Sequence, residues 1–387
     1  MTTKLNMKNP NGEDMFLYGA KYVIASAPGY YRREALPSPN KTTITIAKTW
    51  VNINGEGHIS TSAVTLNLNS ASSWDANTYA TAANRAGKDF YIYALASSDG
   101  SPNFILSANS TVPTGYTVSN SRKIGGFHCL CLSVGTISGH TLSGYVTGDI
   151  LPLSVWDLRH RPVADPEGMV WIEGVGHWVD IYLNTWTGSK LVSTYNTTMA
   201  DGNSGSFNGE KFAEAIGQVG KKLLSRDMFM VVAKGSNEMT NIYGSSDPGK
   251  AGGHKDTNNR RMISNYGLED CCGVMYQWGS DIFEDWSPAT WSAPQWYTEG
   301  WAKEYQNGSM RYYISNYQWY PESVYNPSFD SVQYGSAHGL VRRALLGGYW
   351  SVGSYCGSRC VYCVGFSADG YSSYGARGAS EPASVNL

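Results

Sequence analysis

Hydrophobic and polar residues alternate with a period of two from about Thr42 onward. The alternation is clearest over 44–46, 64–68 and 90–94, where every second side chain is apolar. Half-buried β-strands produce this pattern because successive side chains point to opposite faces of a sheet. Turn-forming clusters such as 99–102 separate the runs. The pattern predicts a small all-β domain, a β-sandwich, over 42–150.

Helical periodicity replaces this alternation at two places in the second half of the chain. Asn208 and Ser225 are residue types that cap helix N-termini, and each precedes an apolar face with helical spacing. The second helix is expected to stop at Gly235. The apolar positions are Phe212, Ala215, Ile216 and Val219 in the first helix and Met228, Phe229 and Val232 in the second. The whole chain is therefore predicted to be α+β and mostly β.

Proline and turn residues divide the chain into parts. Residues 1–41 are turn-rich and too few to bury a core of their own, so they are interpreted as an N-terminal assembly arm. Prolines concentrated in 151–167 indicate a linker after the sandwich. The remainder, 168–387, combines the two helices with short strands and long aromatic loops. It is predicted to be a third domain, in which a few regular elements support surface loops.

Composition and charge exclude several classes of protein. Hydrophobic residues make up 42% and charged residues 16% of the chain, as in a folded globular protein. The formal net charge is −2 and no long Lys/Arg run occurs, so nucleic acid is not an expected partner. No segment approaches the ~20 apolar residues that span a bilayer, and 1–21 lacks the apolar core of a signal peptide. The sequence predicts cytoplasmic synthesis, no signal peptide and no membrane insertion.

The segment 349–374 has the composition of a binding surface. It contains five Tyr, six Ser and four Gly, and only Arg359 and Asp369 carry charge. Tyr provides large, stiff, amphipathic contacts, whereas Ser and Gly adapt their hydrogen bonding to different partners. An ordinary Gly/Ser loop with core tyrosines has a similar composition, so composition alone leaves both interpretations open.

Four motifs in the second half resemble those of the C-type lectin fold in its bacterial and phage form, the branch shared with formylglycine-generating enzymes. In chain order they are 168–172 (GMVWI), 220–229 (GKKLLSRDMF), 272–281 (CGVMYQWGSD) and 347–350 (GGYW) followed by 357–359 (GSR). Each motif is weak alone, but the ordered set is specific. The resemblance implies a C-terminal C-type lectin fold that follows the β-sandwich and the short N-terminal arm.

Other segments are similar to the major tropism determinant family, phage receptor-binding proteins that a diversity-generating retroelement varies. They include 113–117 (PTGYT), 122–128 (RKIGGFH), 165–169 (DPEGM), 178–183 (WVDIYL) and 375–378 (GARG), the last of which closes the variable segment in that family. The resemblance covers roughly 42–387. It implies a phage or prophage protein of the virion tail tip, made in the host cytoplasm, that binds a host cell-surface protein or glycan.

The same resemblance implies partners within the virion. The N-terminal arm is expected to contact other tail proteins, and the protein is expected to be a homotrimer. The arm is shorter than the stalk through which that family trimerises, which leaves the route to a trimer open. Several copies on one particle would raise the strength of attachment through multivalency.

Within 349–374, the resemblance assigns ligand binding to the positions that the family varies. Randomised template adenines in that family yield codons for Tyr, Ser, Cys, Asp, Gly, Val and Phe, and every residue at these positions belongs to that set. The predicted binding residues are Tyr349, Ser351, Val352, Gly353, Tyr355, Tyr362, Val364, Gly365, Asp369, Tyr371, Ser373 and Tyr374. The unvaried scaffold positions are Trp350, Gly357, Ser358 and Arg359. Trp350 is expected to anchor the core, and Arg359 is expected to be a buried or loop-fixing hydrogen-bond donor.

The cysteines at Cys356, Cys360 and Cys363 raise chemical alternatives. Their spacing matches the iron–sulfur motif of radical S-adenosylmethionine enzymes, but the chain after Cys363 is too short for the barrel that this motif opens. Three thiols also form part of a zinc site, although a fourth ligand is not evident. The enzyme alternative is a formylglycine-generating type of oxidase that uses Cys356 and Cys360, but the expected His-bearing sequence is missing. Seven cysteines at irregular spacing predict free thiols.

The sequence predicts no catalytic site and no cofactor, and the chain is therefore predicted not to be an enzyme. No nucleophile–base pair, metal-type His spacing or phosphate loop occurs, and the motifs of calcium-dependent lectins are missing from the sequence. Asp281, Glu284 and Asp285 leave a structural cation open, with a solvated loop as the simpler interpretation. A bacterial surface display protein from a chromosomal retroelement is a further alternative, disfavoured by the missing secretion signal.

Overall fold

The computed structural model describes 38–285, 340–363 and 369–383, and the strands at 5–8, 14–17, 30–32, 312–315 and 318–321. The chain divides into two compact units, the first made of 1–171 and 382–387 and the second of 172–381. Strands far outnumber helices, which confirms the predicted α+β, mostly β class. Among the described residues, no helix is both long and apolar enough to cross a membrane.

The first unit is built from short antiparallel strands. Its strands are β1 (Leu5–Lys8), β2 (Asp14–Leu17), β3 (Tyr30–Arg32), β4 (Ser38–Asn40), β5 (Thr43–Ile46), β6 (Thr49–Ile53), β7 (Glu56–Ile59), β8 (Val64–Asn67), β9 (Asp89–Leu95), β10 (Asn103–Ser107), β11 (Ser121–His128) and β12 (Trp156–Asp157), with one short helix, α1 (Ala82–Arg85). They form four sheets, ordered β1-β2, β3-β6-β7, β4-β5-β8 and β10-β9-β11-β12. Three 3₁₀ turns, Ala71–Ser73, Asn77–Ala80 and Pro152–Ser154, complete the regular structure described in this unit.

One apolar core joins three of these sheets, β3-β6-β7, β4-β5-β8 and β10-β9-β11-β12. Ile44 on β5 lies opposite Leu66 on β8, and both side chains are buried. Phe90 and Ile92 of β9 belong to the same core, together with Val51 of β6. Sheets that enclose a single apolar core form the sandwich that the alternation predicted.

Residues 151–167, interpreted from their prolines as a linker, are part of the first unit. Strand β12 pairs with β11, and Trp156 is buried. Gly126 on β11 lies so close that a Cβ there would come within 2.8 Å of the Trp156 indole nitrogen. The burial of this side chain attaches the stretch to the sheet, and the division between the units falls after Trp171.

The second unit carries the remaining strands and the two longer helices. Its strands are β14 (His177–Asp180), β15 (Thr185–Trp186), β16 (Leu191–Val192), β17 (Lys222–Leu223), β18 (Tyr276–Asp285), β19 (Tyr312–Ser315), β20 (Gln318–Pro321), β21 (Leu340–Leu346), β22 (Val361–Tyr362), β23 (Tyr374–Gly375) and β24 (Gly378–Ser380), while β13 (Met169–Ile172) spans the division between the units. The helices are α2 (Gly209–Gln218) and α3 (Arg226–Val232), with 3₁₀ turns at Glu173–Val175 and Gly353–Tyr355. The larger sheet is ordered β22-β21-β18-β23, and β24 lies between β14 and β17 in another.

Both predicted helices begin at the predicted caps. The Asn208 side chain accepts a hydrogen bond from the backbone N–H of Lys211, and the Ser225 hydroxyl accepts one from Met228. Helix α3 ends at Val232, before the predicted stop at Gly235. The caps were predictable because each satisfies free backbone N–H groups within its own turn.

Candidate binding surface

Backbone pairing holds the segment 349–374, named here the variable segment after its predicted variability, at three points. At its start, Tyr349 forms a parallel bridge with Val274. In its middle, Tyr362 of β22 pairs with Leu345 of β21. At its end, Tyr374 of β23 pairs in parallel with Tyr276 of β18. The middle and the end of the segment are therefore anchored to one sheet, and its start is anchored to Val274, two residues before β18.

Tyr276 is the centre of an aromatic cluster at this edge of the sheet. Its ring centroid lies 5.3 Å from that of Tyr349, 5.5 Å from that of Tyr362 and 6.0 Å from that of Tyr374. The Tyr362 ring is nearly parallel to it, at 30°, whereas the Tyr374 ring meets it edge-on, at 75°. Such aromatic pairs contribute about 0.5–1.5 kcal/mol each beyond their burial. The cluster is thus a stiff base for the variable segment.

The tyrosines of the variable segment range from buried to fully accessible. Tyr374 is 9% exposed, and burial raises its pKa, so its hydroxyl stays neutral. Tyr371 meets Tyr374 edge-on at 5.0 Å but is itself 54% exposed. Tyr355, in the 3₁₀ turn, is 79% exposed. Accessible tyrosines therefore stand beside buried ones.

The predicted binding residues take different positions in this gradient. Ser351, Tyr355, Tyr362 and Tyr371 are exposed, Tyr349, Val352, Gly353, Asp369 and Ser373 are half-buried, and Tyr374 is buried. Val364 and Gly365 lie outside the described residues. In this structure Tyr374 supports the surface instead of forming its outer part.

Glu238 holds the turn at the middle of the variable segment. The backbone N–H of Ser358 lies 3.1 Å from each of the two oxygens of the Glu238 carboxylate and donates to them. A Cβ at Gly357 would come within 2.2 Å of Glu238 Oε2, so only glycine fits without displacement. The next residue, Met239, donates its N–H to the carbonyl of Cys356 at 2.8 Å. These contacts support the predicted scaffold role of Gly357 and Ser358 and add Glu238, which the sequence analysis missed.

Trp350 and Arg359 are both less buried than expected. Trp350 is half-buried and is not a core anchor. Its backbone makes the contacts, since its N–H donates to the Val274 carbonyl at 3.1 Å and its carbonyl accepts a hydrogen bond from the Asn241 side chain. Arg359 is exposed and is not a buried donor. The order of the motifs predicted that Arg359 is buried. Whether a side chain in a loop is buried depends on which residues pack over that loop.

Arg377 is a buried arginine of this region. Its Nη1 donates to the carbonyls of Asp180 and Ile181, at 2.6 and 2.5 Å. Its Nη2 donates to the carbonyl of Glu269, and its Nε donates to Gln277 Oε1 at 3.1 Å. A guanidinium suits this position because its planar fork reaches several acceptors at once. Arg377 therefore fixes the chain just after the variable segment.

A second loop contacts the other end of the variable segment. The N–H of Gly202 donates to the carbonyl of Tyr371 at 3.1 Å, and a Cβ at Gly202 would clash with the Gly370 backbone at 2.2 Å. Asp201 shapes this loop by accepting a hydrogen bond from Asn203 N–H at 2.7 Å. The backbone of the segment is thus held on this side as well as by Glu238.

The thiols in the variable segment are not activated. Burial raises the pKa of Cys356 to about 12 and also raises the pKa of Cys360 and of the more exposed Cys363. Nucleophilic cysteines have a lowered pKa instead. All seven cysteines are free, as predicted. Across the described part of the chain, no three His, Cys, Asp or Glu side chains are grouped as metal ligands would be.

The acidic group for which a structural cation was left open is only partly described. Asp281 Oδ2 accepts a hydrogen bond from the backbone N–H of Arg226 at 2.5 Å, at the start of α3. The side chains of Glu284 and Asp285 lie outside the described residues. Asp281 thus has a structural partner in the helix that follows Ser225.

Comparisons with known proteins agree with this geometry. The family described as the Mtd second domain matches residues 35–157. The "Tail fiber receptor-binding protein" of Bordetella phage BPP-1 is 28% identical over 315 residues, which cover 76% of this chain and 71% of that protein. The solved structure of the Major Tropism Determinant U1 variant matches with a TM-score of 0.64 and 25% identity, covering 93% of this chain and 85% of that one. The I1 variant matches with a TM-score of 0.66 and 25% identity, over 91% and 85%.

These matches confirm the resemblance and the fold class inferred from the sequence motifs, including the C-type lectin fold. The proteins named in them are receptor-binding and tropism proteins, which are not enzymes. They confirm the prediction that the chain is not an enzyme, and the oxidase alternative based on Cys356 and Cys360 is set aside.

Proposed function

We propose that this chain, which is similar to major tropism determinant proteins, is a phage receptor-binding protein of the virion tail tip. The variable segment is the proposed contact surface for a ligand on the host cell. One observation carries this proposal: Tyr355 and Tyr371 are largely exposed on a segment whose buried Tyr374 packs against Tyr276. The tail-fibre relative, described as receptor-binding, supports it.

The physical chemistry of the surface suits recognition. Tyr is enriched at interface hot spots because it adds a large amphipathic ring and loses little side-chain entropy on binding. The ring of Tyr362 is already ordered by stacking on Tyr276. Binding a ligand therefore costs less side-chain conformational entropy than it would for a mobile ring. Ser351 and Ser373 beside these rings add adaptable donors and acceptors.

Diversification by a retroelement is part of the proposal. Substitutions at Ser351, Tyr355 and Tyr371 would remove little packing because these side chains are exposed. The backbone would stay in place, since Tyr349, Tyr362 and Tyr374 are anchored through main-chain pairing. A surface of this kind changes its side chains without losing its shape.

The proposed partners are a host-surface protein or glycan and, through the arm at 1–41, other tail proteins. We propose a homotrimer, which would place several variable segments on one tip. Linked copies convert later binding events into intramolecular ones, so weak individual contacts still give firm attachment.

The first test measures attachment of host cells to the purified chain and to a variant with Tyr355→Ala and Tyr371→Ala. We expect attachment to weaken at least about tenfold, which corresponds to about 1.4 kcal/mol, with an unchanged melting temperature. Val118→Ala is the matched control, because Val118 is equally exposed but lies in the first unit. Unchanged attachment by the double variant, together with normal folding, would contradict the proposed surface.

A second test addresses diversification by sequencing the locus across its source population. Substitutions should concentrate at the predicted binding residues and spare Trp350 and 357–359, and an imperfect repeat of the segment encoding 347–378 should lie nearby. An invariant segment with no repeat would exclude retroelement diversification while leaving receptor binding intact.

A further inference from the structure

A cavity of about 420 Å³ lies between the loop 242–248 and the loop 253–259 of the second unit. We propose that it is a fixed saccharide site that takes a carboxylate-bearing sugar, such as a uronic or sialic acid residue. The described lining residues include none from the variable segment, so the ligand of this site would not change when the segment varies. The inference therefore goes beyond the proposed function.

The walls of the cavity are tied together by backbone pairing. Ile242 and Asp256 form an antiparallel bridge, and the N–H of Tyr243 donates to the carbonyl of Lys255 at 2.8 Å. Lys255 in turn bridges Arg261. The cavity volume falls within the roughly 300–1,000 Å³ range of small-molecule sites, which are usually largely preformed. A bound sugar would meet walls that are already ordered.

Tyr243 provides an aromatic surface at the mouth of the cavity. It is 73% exposed, so its ring is not required by the core. A tyrosine ring has an apolar face and a polar hydroxyl, and so matches the apolar C–H face and polar edge of a pyranose. Ser246 and Asn259, which also line the cavity, add a hydroxyl and an amide for hydrogen bonds to sugar hydroxyls.

Charge identifies the class of sugar. The exposed Lys255 lines the cavity, and its ammonium donates to Asn259 Oδ1 at 2.9 Å. His254 Nδ1 lies 2.9 Å from Oδ2 of the buried Asp270, so this nitrogen already has a hydrogen-bond partner within the protein. Nε2 is the second nitrogen of the ring that can donate a hydrogen bond. Among the lining residues that the structure describes, none carries a carboxylate. Asp270 balances the charge of a protonated His254, so the excess positive charge of the described lining comes from Lys255. This charge favours an anionic ligand, because hydrogen bonds to charged groups are the stronger ones.

The state of His254 supports this assignment. Burial alone would lower its pKa, but the charge of Asp270 and the hydrogen bond to it raise the pKa above the ordinary value. Asp270 is itself held by the N–H of Gly252 at 2.7 Å, so the acceptor that orients the imidazole is fixed. An imidazole oriented in this way beside Lys255 is suited to a carboxylate.

The cavity adjoins the residues that support the start of the variable segment. Asn241 donates its side-chain amide to the Trp350 carbonyl, and the next residue, Ile242, lines the cavity. A common acidic surface glycan would be held here while the variable segment selects the receptor. This placement rests on the proposed function, whereas the saccharide site itself does not.

The test uses the full chain and two probes, methyl β-glucuronide and its uncharged counterpart methyl β-glucoside, in saturation-transfer NMR and calorimetry. The glucuronide should bind and the glucoside should bind at least about tenfold more weakly. Tyr243→Ala should weaken glucuronide binding at least about tenfold, and Tyr243→Phe should retain it. Lys255→Met should remove the preference for the charged sugar. Val118→Ala, in the first unit, is the control for surface truncation.

The outcomes separate this site from the variable surface. No glucuronide binding at about 10 mM, or equal binding by Tyr243→Ala in a folded variant, overturns the saccharide site. Loss of glucuronide binding in Tyr355→Ala and not in Tyr243→Ala would place the sugar on the variable segment instead. Displacement by inorganic phosphate as effective as by glucuronide itself would identify a plain anion site and also overturn the proposal. Host attachment by the Tyr355→Ala, Tyr371→Ala variant reports on the proposed function independently.

Discussion

The rings of Tyr276 and Tyr362 stack with centroids 5.5 Å apart and planes 30° from parallel. Tyr276 is buried in the strand β18, whereas Tyr362 is exposed within the variable segment. The stack connects an accessible side chain directly to the core of the second unit, where Tyr276 packs with Trp278 and Leu345. Rigidity at the surface is thus supplied by Tyr276, a residue outside the segment 349–374.

The first prediction concerns this base. Tyr276→Ala should lower the free energy of unfolding by about 3–5 kcal/mol, the usual range for removing a buried aromatic side chain. It should also weaken host attachment, because Tyr349 and Tyr362 lose the ring on which they are packed. Tyr276→Phe keeps that ring and should remain within about 1 kcal/mol of the original stability. Urea unfolding and cell attachment measure the two effects, and equal attachment by folded Tyr276→Ala would contradict the role of the base.

The second prediction compares two arginines near the variable segment. Arg377→Met should destabilise the protein by about 3 kcal/mol or more, because the carbonyls of Asp180, Ile181 and Glu269 lose a buried donor. Arg359→Met should change stability by no more than about 0.5 kcal/mol, because Arg359 is exposed. Urea unfolding of the two variants provides the comparison, and equal losses would refute the assignment.

The third prediction concerns the carboxylate that holds the turn. Glu238→Ala should speed amide hydrogen exchange at Ser358 and its neighbours, because the N–H of Ser358 loses its acceptor. Glu238→Gln keeps one acceptor oxygen and should show a smaller effect. Exchange rates in α2, remote from the turn in sequence, serve as the internal reference. If both variants exchange as slowly as the original chain, the carboxylate does not hold the turn.

The fourth prediction is that the free energy of unfolding depends on pH through the pair His254 and Asp270. The pKa of His254 is raised above 6.5, so its stabilising contribution is complete below about pH 6.5 and is lost as the pH rises through the raised value. Burial alone would raise the pKa of Asp270, but the charge of His254 lowers it below 3.8, so that contribution is lost only in strong acid. Glu269 raises the pKa of His254 further, and Arg261 opposes it.

Unfolding free energies at about pH 6 and about pH 9 test this dependence. The original chain should lose more stability on going to the higher pH than His254→Gln does, since the variant has no imidazole to deprotonate. Parallel curves for the two proteins would show that the pair contributes nothing over this interval.

The fifth prediction orders the thiols by reactivity. Cys363 is exposed and should react first with iodoacetamide, whereas Cys356 is buried with a pKa near 12 and should react slowest of the three in the variable segment. Cys360, half-buried, should fall between them. Mass spectrometry of peptides after timed labelling gives the order. Rapid labelling of Cys356 in the folded protein would reopen the chemical alternatives for this motif.

Much of the regular structure was predictable from the sequence. Strand alternation identified the first unit, since Ile44 and Leu66 each follow the period of two and meet across β5 and β8. Asn208 and Ser225 marked the helix starts, because a cap bonds within its own turn. The order of four motifs indicated the C-type lectin fold. All of these signals are local or depend only on chain order.

The linker and the scaffold roles were not predictable in the same way. Prolines in 151–167 suggested a boundary, yet the burial of Trp156 depends on Gly126 of β11, which lies elsewhere in the chain. Motif order pointed to Arg359, yet the acceptors for a buried guanidinium lie around Arg377. A motif specifies residue type and order, while burial depends on which distant backbone packs against it.

The sequence by itself determined the alternating strands within 42–150, the two helix caps and the tyrosine-rich character of the variable segment. Only the tertiary structure decided which of those tyrosines are accessible, because accessibility follows from pairings such as Tyr276 with Tyr374 and contacts such as Glu238 with Ser358. These partners are separated by long stretches of chain, and no local pattern encodes their contact. They meet because folding brings β18, β23 and the loop at Glu238 to one edge of the sheet, where packing divides the segment into buried and exposed side chains.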